Sequence, residues 1–439
     1  MYKGKQIRKL TRKRILIKGF NRFYIFILSC FFAFNPINLV GQEKVSWAGL
    51  SYMSQANEVE SLYPFSVSLE KKIQPLLREV TLAQDKDYEL VTSELVDSDL
   101  GDNRTVVVAL DKERITGGQM GEYCFWEYAI SAQVILYDSE SQNILSIFPV
   151  GKRRPYVEET KDCSPQKRDK KRDRFRFCQM YLGLETDTNY SDKEFEDNCL
   201  NVNSNEINNG FINDISTAVS KVSITDKKNI RFVGIGDVSV QPRALEILSG
   251  KEEYASHPFY KDKNSSFDKV TYENWIGQTF AKSISSKLNV PIVPPLKGKA
   301  IGGSIPLTFS DSSQVANLQL PELDYSFDIK IRGFKMVKLD ETSLREARVY
   351  GSYLTVSFGL EGMHNQSSKI KNGYVVEKVK EDDLSDWQQF DYSTEIIFRE
   401  FADSLIKLDK KWVKNKTDLP FKEARKYFSY VKEKLDSAK

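Results

Sequence analysis

Apolar residues recur along the chain with a period of four in some stretches and of two in others, and these stretches follow one another in the same order twice. Val45-Ser46-Trp47-Ala48-Gly49-Leu50 reads as a short strand ending near a glycine, and Ile230-Arg231-Phe232-Val233-Gly234-Ile235 repeats that reading 185 residues later. Leu69, Ile73, Leu76 and Val80 then mark one face of a helix that Pro75 should kink or displace. Tyr272, Ile276, Phe280, Ile284 and Leu288 mark a longer helix in the second half. Extended segments follow at 88–95 and 290–293. Longer strands come next, over 105–115 and from Tyr325 onward. In the latter, Tyr325, Phe327, Ile329 and Ile331 alternate with polar residues and then change phase at Gly333, which predicts a bulge there.

A hairpin is expected in each half. Ile130, Ala132, Val134 and Leu136 alternate up to a polar turn over 138–143, and 144–150 returns. The counterpart runs over 349–360, crosses a longer polar loop and returns near 374–379. Each half closes on a helix, one carrying Phe211, Ile215, Ala218, Val219 and Val222, the other Ile397, Phe401, Leu405 and Leu408. The pattern predicts an α+β protein of two tandem related domains, each an antiparallel or mixed sheet with helices on one face. The predicted boundaries are 43–225 for the first domain and 226–415 for the second. A C-terminal amphipathic helix over 416–439 carries Phe421, Ala424, Phe428, Val431 and Leu435 and should dock on the second domain or on a partner. Two insertions interrupt the plan: a cysteine-bearing basic one over 152–206, and a Gly-, Pro- and Ser-rich one over 294–321 that reads as an irregular loop.

Charge changes the picture at the N-terminus. Residues 1–42 hold nine Lys or Arg and no acid, so the remaining chain carries 55 basic against 61 acidic residues, a balance of −6. A net-negative body argues against nucleic acid as a partner. A basic stretch from Lys3 to Arg22, twelve largely apolar residues from Phe23 to Phe34, and small residues near Gly41 are the layout of a secretory signal peptide. A retained N-terminal anchor is the alternative. The predicted location is the periplasm or the outer-membrane periphery. Cys124, Cys163, Cys178 and Cys199 then suggest two disulfides in an oxidising compartment. Three connectivities are open, with Cys163–Cys178 and Cys124–Cys199 favoured. No cofactor is implied, and no zinc-type cysteine spacing occurs.

The hairpin at 129–150, with Tyr137-Asp138-Ser139-Glu140-Ser141-Gln142-Asn143-Ile144-Leu145 at its turn, resembles the strand-turn-strand of bacterial envelope proteins of the TolB amino-terminal-like group. That group includes the curli secretion channel subunit, an outer-membrane activator of peptidoglycan synthases and a flagellar ring protein. The order of elements is similar as well, and the cysteine-bearing insertion departs from the pattern. The resemblance implies a non-catalytic module that binds or assembles with other envelope proteins as part of a larger assembly.

Candidate chemistry is sparse. His257 and His364 sit in no motif that pairs them with a nucleophile or metal ligands. The glycine clusters at 117–121 and 298–304 lack the spacing of a phosphate-binding loop. Acid runs such as Glu158-Glu159 and Glu381-Asp382-Asp383 keep an exported carboxylate-dependent hydrolase open as an alternative. The sharper feature is the basic run Lys167, Arg168, Lys170, Lys171, Arg172, Arg174 and Arg176, interleaved with Phe175 and Phe177. On a constrained loop it would form a positive patch for an anionic membrane surface, a glycan or an acidic partner, a lipid- or polysaccharide-binding alternative.

Overall fold

The structure, a computed structural model, describes residues 43–84, 86–92, 104–120, 123–159, 169–184, 199, 201–207, 209–222, 231–249, 269–295, 303–309, 315–341, 345–360, 363–379 and 386–438. The first half opens with β1 (Lys44–Tyr52) and helix α1 (Pro64–Leu82). It continues through β2 (Glu89–Thr92), β3 (Arg104–Met120), β4 (Tyr123–Asp138) and β5 (Ile144–Glu159), and closes with α2 (Lys170–Leu182) and α3 (Phe211–Ser220). The second half has β6 (Val233–Val240), α4 (Pro242–Ser249), α5 (Lys269–Leu288), β7 (Ser304–Phe309) and β8 (Val315–Gln319). Then come β9 (Tyr325–Glu341), β10 (Arg345–Leu360), β11 (Met363–Val379), α6 (Asp386–Ile406), α7 (Lys410–Lys416) and α8 (Phe421–Asp436). The fold class is α+β, with one seven-stranded and one four-stranded sheet among the described residues.

The first sheet runs β5-β4-β3-β1-β7-β8, and the second β11-β10-β9-β6. In each, the opening strand lies parallel to the first long strand, β1 on β3 and β6 on β9, and the remaining pairs among the long strands are antiparallel. The free side of the opening strand also takes a parallel neighbour in both. This is β2 on β1, and an isolated bridge from Val293 to Gly234 beside β6.

Packing follows the periodicities. Leu69, Ile73, Leu76 and Leu77 of α1 are buried against Val106, Val108 and Leu110 of β3, with α3 alongside. Helix α1 runs unbroken through Pro75. In the second half all five apolar positions of α5 are buried. Phe280 stands edge-on to Phe327 and Phe398, each at 5.1 Å between ring centres. Helix α8 docks on this core, with Phe428 5.1 Å from Phe401. The bulge expected at Gly333 is present: Tyr353 pairs with Gly333 and Leu354 with Ile331, so one residue of β9 is extra.

Three expectations are corrected. Segment 294–321 is not an irregular loop throughout, because β7 and β8 form a hairpin that joins β1 and extends the first sheet. Ile305, Leu307 and Leu318 from it cover Val107, Ala109 and Ile135 on the sheet face away from α1. The basic insertion starts later than residue 152, since β5 continues through Glu159. The second hairpin does not cross a long polar loop, since Leu360 pairs with Met363 and β11 is a strand from Met363 onward. It pairs on one side only, and Ser367, Lys369 and Lys371 are exposed while Ser368 and Asn372 are buried. No helix among the described residues is long and apolar enough to cross a membrane.

Candidate functional site: a cationic cleft between the halves

The described part of the basic run does not form a loop patch. From Lys170 it is helix α2, opened by the Asp169 carboxylate, which accepts from the Lys171 N–H at 2.9 Å, and closed by Gly183 at φ 73°. Phe175 and Phe177 are core residues rather than surface contacts. Arg176 is buried between the Tyr128 and Tyr156 rings, donates to the Tyr128 hydroxyl at 2.9 Å and pairs with Glu158. Arg172 pairs with the same carboxylate at 3.2 Å, and Arg174 donates to the Ser68 carbonyl at 2.7 Å. Lys170 and Lys171 are exposed. Lys167, Arg168 and Cys163 lie outside the described residues, as do His257 and the run 381–383. His364 falls within β11.

The favoured cysteine pairing is also corrected. Cys178 pairs with Cys199 across 21 residues, so it does not close a loop with Cys163. Cys124 is disulfide-bonded too. Cys178 faces the core from α2, which fixes its partner by packing rather than by nearness in sequence.

The cations that do converge come from other elements. A bulge in β3 pairs Leu110 with Ala132 and Lys112 with Ser131, leaving Asp111 as the extra residue. Without it, simple alternation would send Lys112 to the same face as Val106, Val108 and Leu110, into the core under α1. The bulge turns Lys112 and Arg114 to the opposite face and puts Glu113 on the helix side. There the Glu113 carboxylate accepts from the Phe65 and Ser66 N–H groups at the start of α1, at 2.9 and 2.7 Å. Asp111 is buried and held by the Ser131 hydroxyl and by the Gln133 amide at 2.5 Å.

Helices α5 and α6 lie against this face near β3, β4 and β5, and between them and the strands is a cavity of about 400 Å³. Lys112, Lys152 and Arg153 line it from the first half, and Lys282, Lys287 and Arg399 from the second. Asp403 is the one carboxylate among its described lining residues. Trp275 forms part of the wall, and the Lys112 ammonium lies 5.9 Å from its ring centre. Lys112, Ser131 and Gly151 form one cross-strand row. The Lys282 ammonium reaches to 3.0 Å from where a side chain on residue 151 would begin, so glycine leaves room for it.

Beside the cleft, an ionic network joins the two halves. Arg153 pairs with Glu127 at 3.5 Å and with Glu395 of α6, and the Tyr272 hydroxyl of α5 donates to Asp391 of α6 at 3.1 Å. Burial pushes Asp391 up to about 8, with Arg114 pulling against it and Glu395 adding to it. Burial also raises Glu395, opposed by Arg153. It brings Arg114 down to about 10, against the pull of Asp391. Lys112 is held well below the usual ammonium range by burial and by the neighbouring Arg114, Lys282 and Arg153 cations. Among the described residues no group of three or more His, Cys, Asp or Glu is placed to hold a metal ion.

No family model and no curated protein matches the chain. Among solved structures it is similar to a minor lipoprotein from Acinetobacter baumannii over 20% of this chain and 68% of that one, at 11% identity and a TM-score of 0.14.

Proposed function

We propose that this chain is an exported, non-catalytic binding and scaffold protein of the cell envelope, working at the periplasm or outer-membrane periphery as part of a larger assembly. The observation that supports it is the way the two halves are joined. Two α+β lobes with the same strand order, consistent with a repeated ancestral unit, are tied together by the Arg153–Glu395 pair, with Arg114 of the first facing Asp391 of the second, rather than left on a free linker. A scaffold needs its binding surfaces held at a fixed separation, and a buried ionic seam fixes the relative placement of two lobes, because it leaves charges unpaired in any other. The basic N-terminal segment followed by an apolar run supports export.

Crosslinking in intact cells, followed by purification and identification of what is attached, tests this reading. One defined set of envelope proteins recovered in fixed proportion is the expected result. Recovery of the protein alone would sink it.

A further inference from the structure

We propose that the cleft between the halves binds a small, water-soluble phosphate ester, its phosphate dianion seated between the Lys112 and Lys282 ammonium groups on the Lys112–Ser131–Gly151 row. Six cationic side chains and one carboxylate line this cavity among the described residues. Several already have partners: Lys152 pairs with Asp214 at 3.2 Å, Lys287 with Asp403 at 2.5 Å, and Arg153 with Glu127 and Glu395. Lys112 forms no ion pair among the described residues and rests against the Trp275 ring. Arg399 likewise forms none and lies over the Tyr392 ring at 5.8 Å. Gathering these cations at one buried face costs stability through like-charge repulsion, and an anion in their midst relieves it.

The number of charges argues for a phosphate rather than a carboxylate. Lys112 and Arg399, which form no ion pair among the described residues, bring two positive charges to the lining, which a dianion matches and a monoanion does not. The hydroxyls of Ser131, Thr279 and Ser283 donate within the protein, to Asp111 and to carbonyls one turn back in α5, so their remaining capacity is to accept. A hydroxyl on the alcohol part of the ester can use that capacity. The volume, about 400 Å³, is that of a small-molecule site. Half-exposed Lys287 and Asp403 stand at its solvent side. A concave site between strands and helices fits a soluble ester better than the flat face of a bilayer.

Isothermal titration of the purified protein with inorganic phosphate, glycerol 3-phosphate and acetate, together with co-sedimentation on phosphatidylglycerol vesicles, tests the proposal. Saturable binding of phosphate and glycerol phosphate, with neither acetate nor vesicles binding comparably, is expected. Lys112→Met and Lys282→Met each lower the affinity by about tenfold or more, the worth of one charge-assisted hydrogen bond, while Lys426→Gln, on the exposed side of α8, changes nothing. Because burial and neighbouring cations weaken the hold of Lys112 on its proton, an anion beside it strengthens that hold, and any proton uptake is seen as heat that depends on the buffer's ionisation enthalpy and is lost in Lys112→Met. Lys112→Met should melt no lower than the parent, because it removes repulsion. If it fails to fold, Arg399→Met stands in its place. Absence of saturable phosphate binding, unchanged affinity in both lysine variants, acetate binding as well as phosphate, or vesicle binding without glycerol phosphate binding would each overturn the proposal. None of these outcomes bears on whether envelope proteins are crosslinked to the chain in cells.

Discussion

Replacing Arg153 by methionine keeps most of the side chain's aliphatic length and deletes the charge that joins β5 to α6. The Glu395 side chain is 9% exposed and would lose its direct cationic partner, while Glu127 would lose a weaker one at 3.5 Å. Removing one member of a buried pair costs about 3–5 kcal/mol, because the other charge stays behind without compensation. Arg153 itself is 38% exposed, so water already screens part of the pair, and Arg114 and Lys112 remain nearby. Roughly 2 kcal/mol is therefore the expected loss near neutral pH. The pH dependence separates this cause from lost packing. The folded-state pKa of Glu395 is already raised, and taking away Arg153 raises it further. A carboxyl with a raised folded pKa binds more protons folded than unfolded, so its penalty is smallest in acid and grows as pH rises through that folded pKa. Urea unfolding followed by tryptophan fluorescence, at about pH 5 and about pH 8, should show Arg153→Met losing clearly more stability at the higher pH. Arg153→Met with Glu395→Leu should return to within about 1 kcal/mol of the parent, since a buried pair replaced by apolar groups is close to neutral. Equal loss at both pH values, or a double variant no better than the single one, would refute the electrostatic account of the seam.

Asp391→Asn should flatten the pH dependence of stability between the ordinary carboxyl value of 3.8 and about 8. In the parent the folded carboxyl holds its proton across that window while the unfolded one releases it, so stability falls by up to about 1.4 kcal/mol per pH unit as pH rises. A slope unchanged in the variant would show that another group sets it. Phe280→Ala empties the middle of a cluster shared with Phe327, Phe398 and Phe401 and should cost about 3–5 kcal/mol in urea unfolding. A loss under about 1 kcal/mol would mean the second half's core is not packed around that ring. Joint replacement of Cys178 and Cys199 by serine reopens a 21-residue span and should cost about 3 kcal/mol in non-reducing buffer. An unchanged unfolding midpoint would contradict the pairing.

Elements whose apolar period runs uninterrupted were legible in the amino-acid sequence. Helices α1 and α5 and the Gly333 bulge in β9 follow from where Leu69, Ile73, Tyr272, Ile276 and Phe327 stand, because one buried face decides each of them. Misreadings arose where composition masked a pattern that was present. Ile305 and Leu307 alternate with Ser304, Pro306 and Thr308, yet the surrounding Gly, Pro and Ser suggested a loop. Proline fits a strand where its missing N–H is not needed by the ladder. In α2 the density of Lys and Arg suggested a loop bearing a positive patch, although Asp169 and Gly183 stood at cap spacing around Phe175, Phe177 and Tyr181. The helix buries Arg176 by giving it two tyrosine rings and Glu158, partners brought in from β4 and β5 that no local reading supplies.

The cleft was hidden for a different reason. Its wall joins Lys112, Gly151, Lys282 and Arg399, which only the docking of α5 and α6 on β3, β4 and β5 brings together. One local signal for it does exist. Val106, Val108 and Leu110 alternate with Val107 and Ala109, and then Asp111 and Lys112 follow as consecutive polar residues. A polar pair breaking a two-residue alternation is the same kind of phase slip that marks Gly333 in β9. On β3 the slip sends Glu113 to the start of α1 and Lys112 and Arg114 away from it, toward the other half. The same extra residue therefore anchors a helix on one side of the sheet and charges the cleft on the other. Deleting Asp111 should unpin α1 and disperse the cationic cluster together, a coupling that substitution at either place alone would not reproduce.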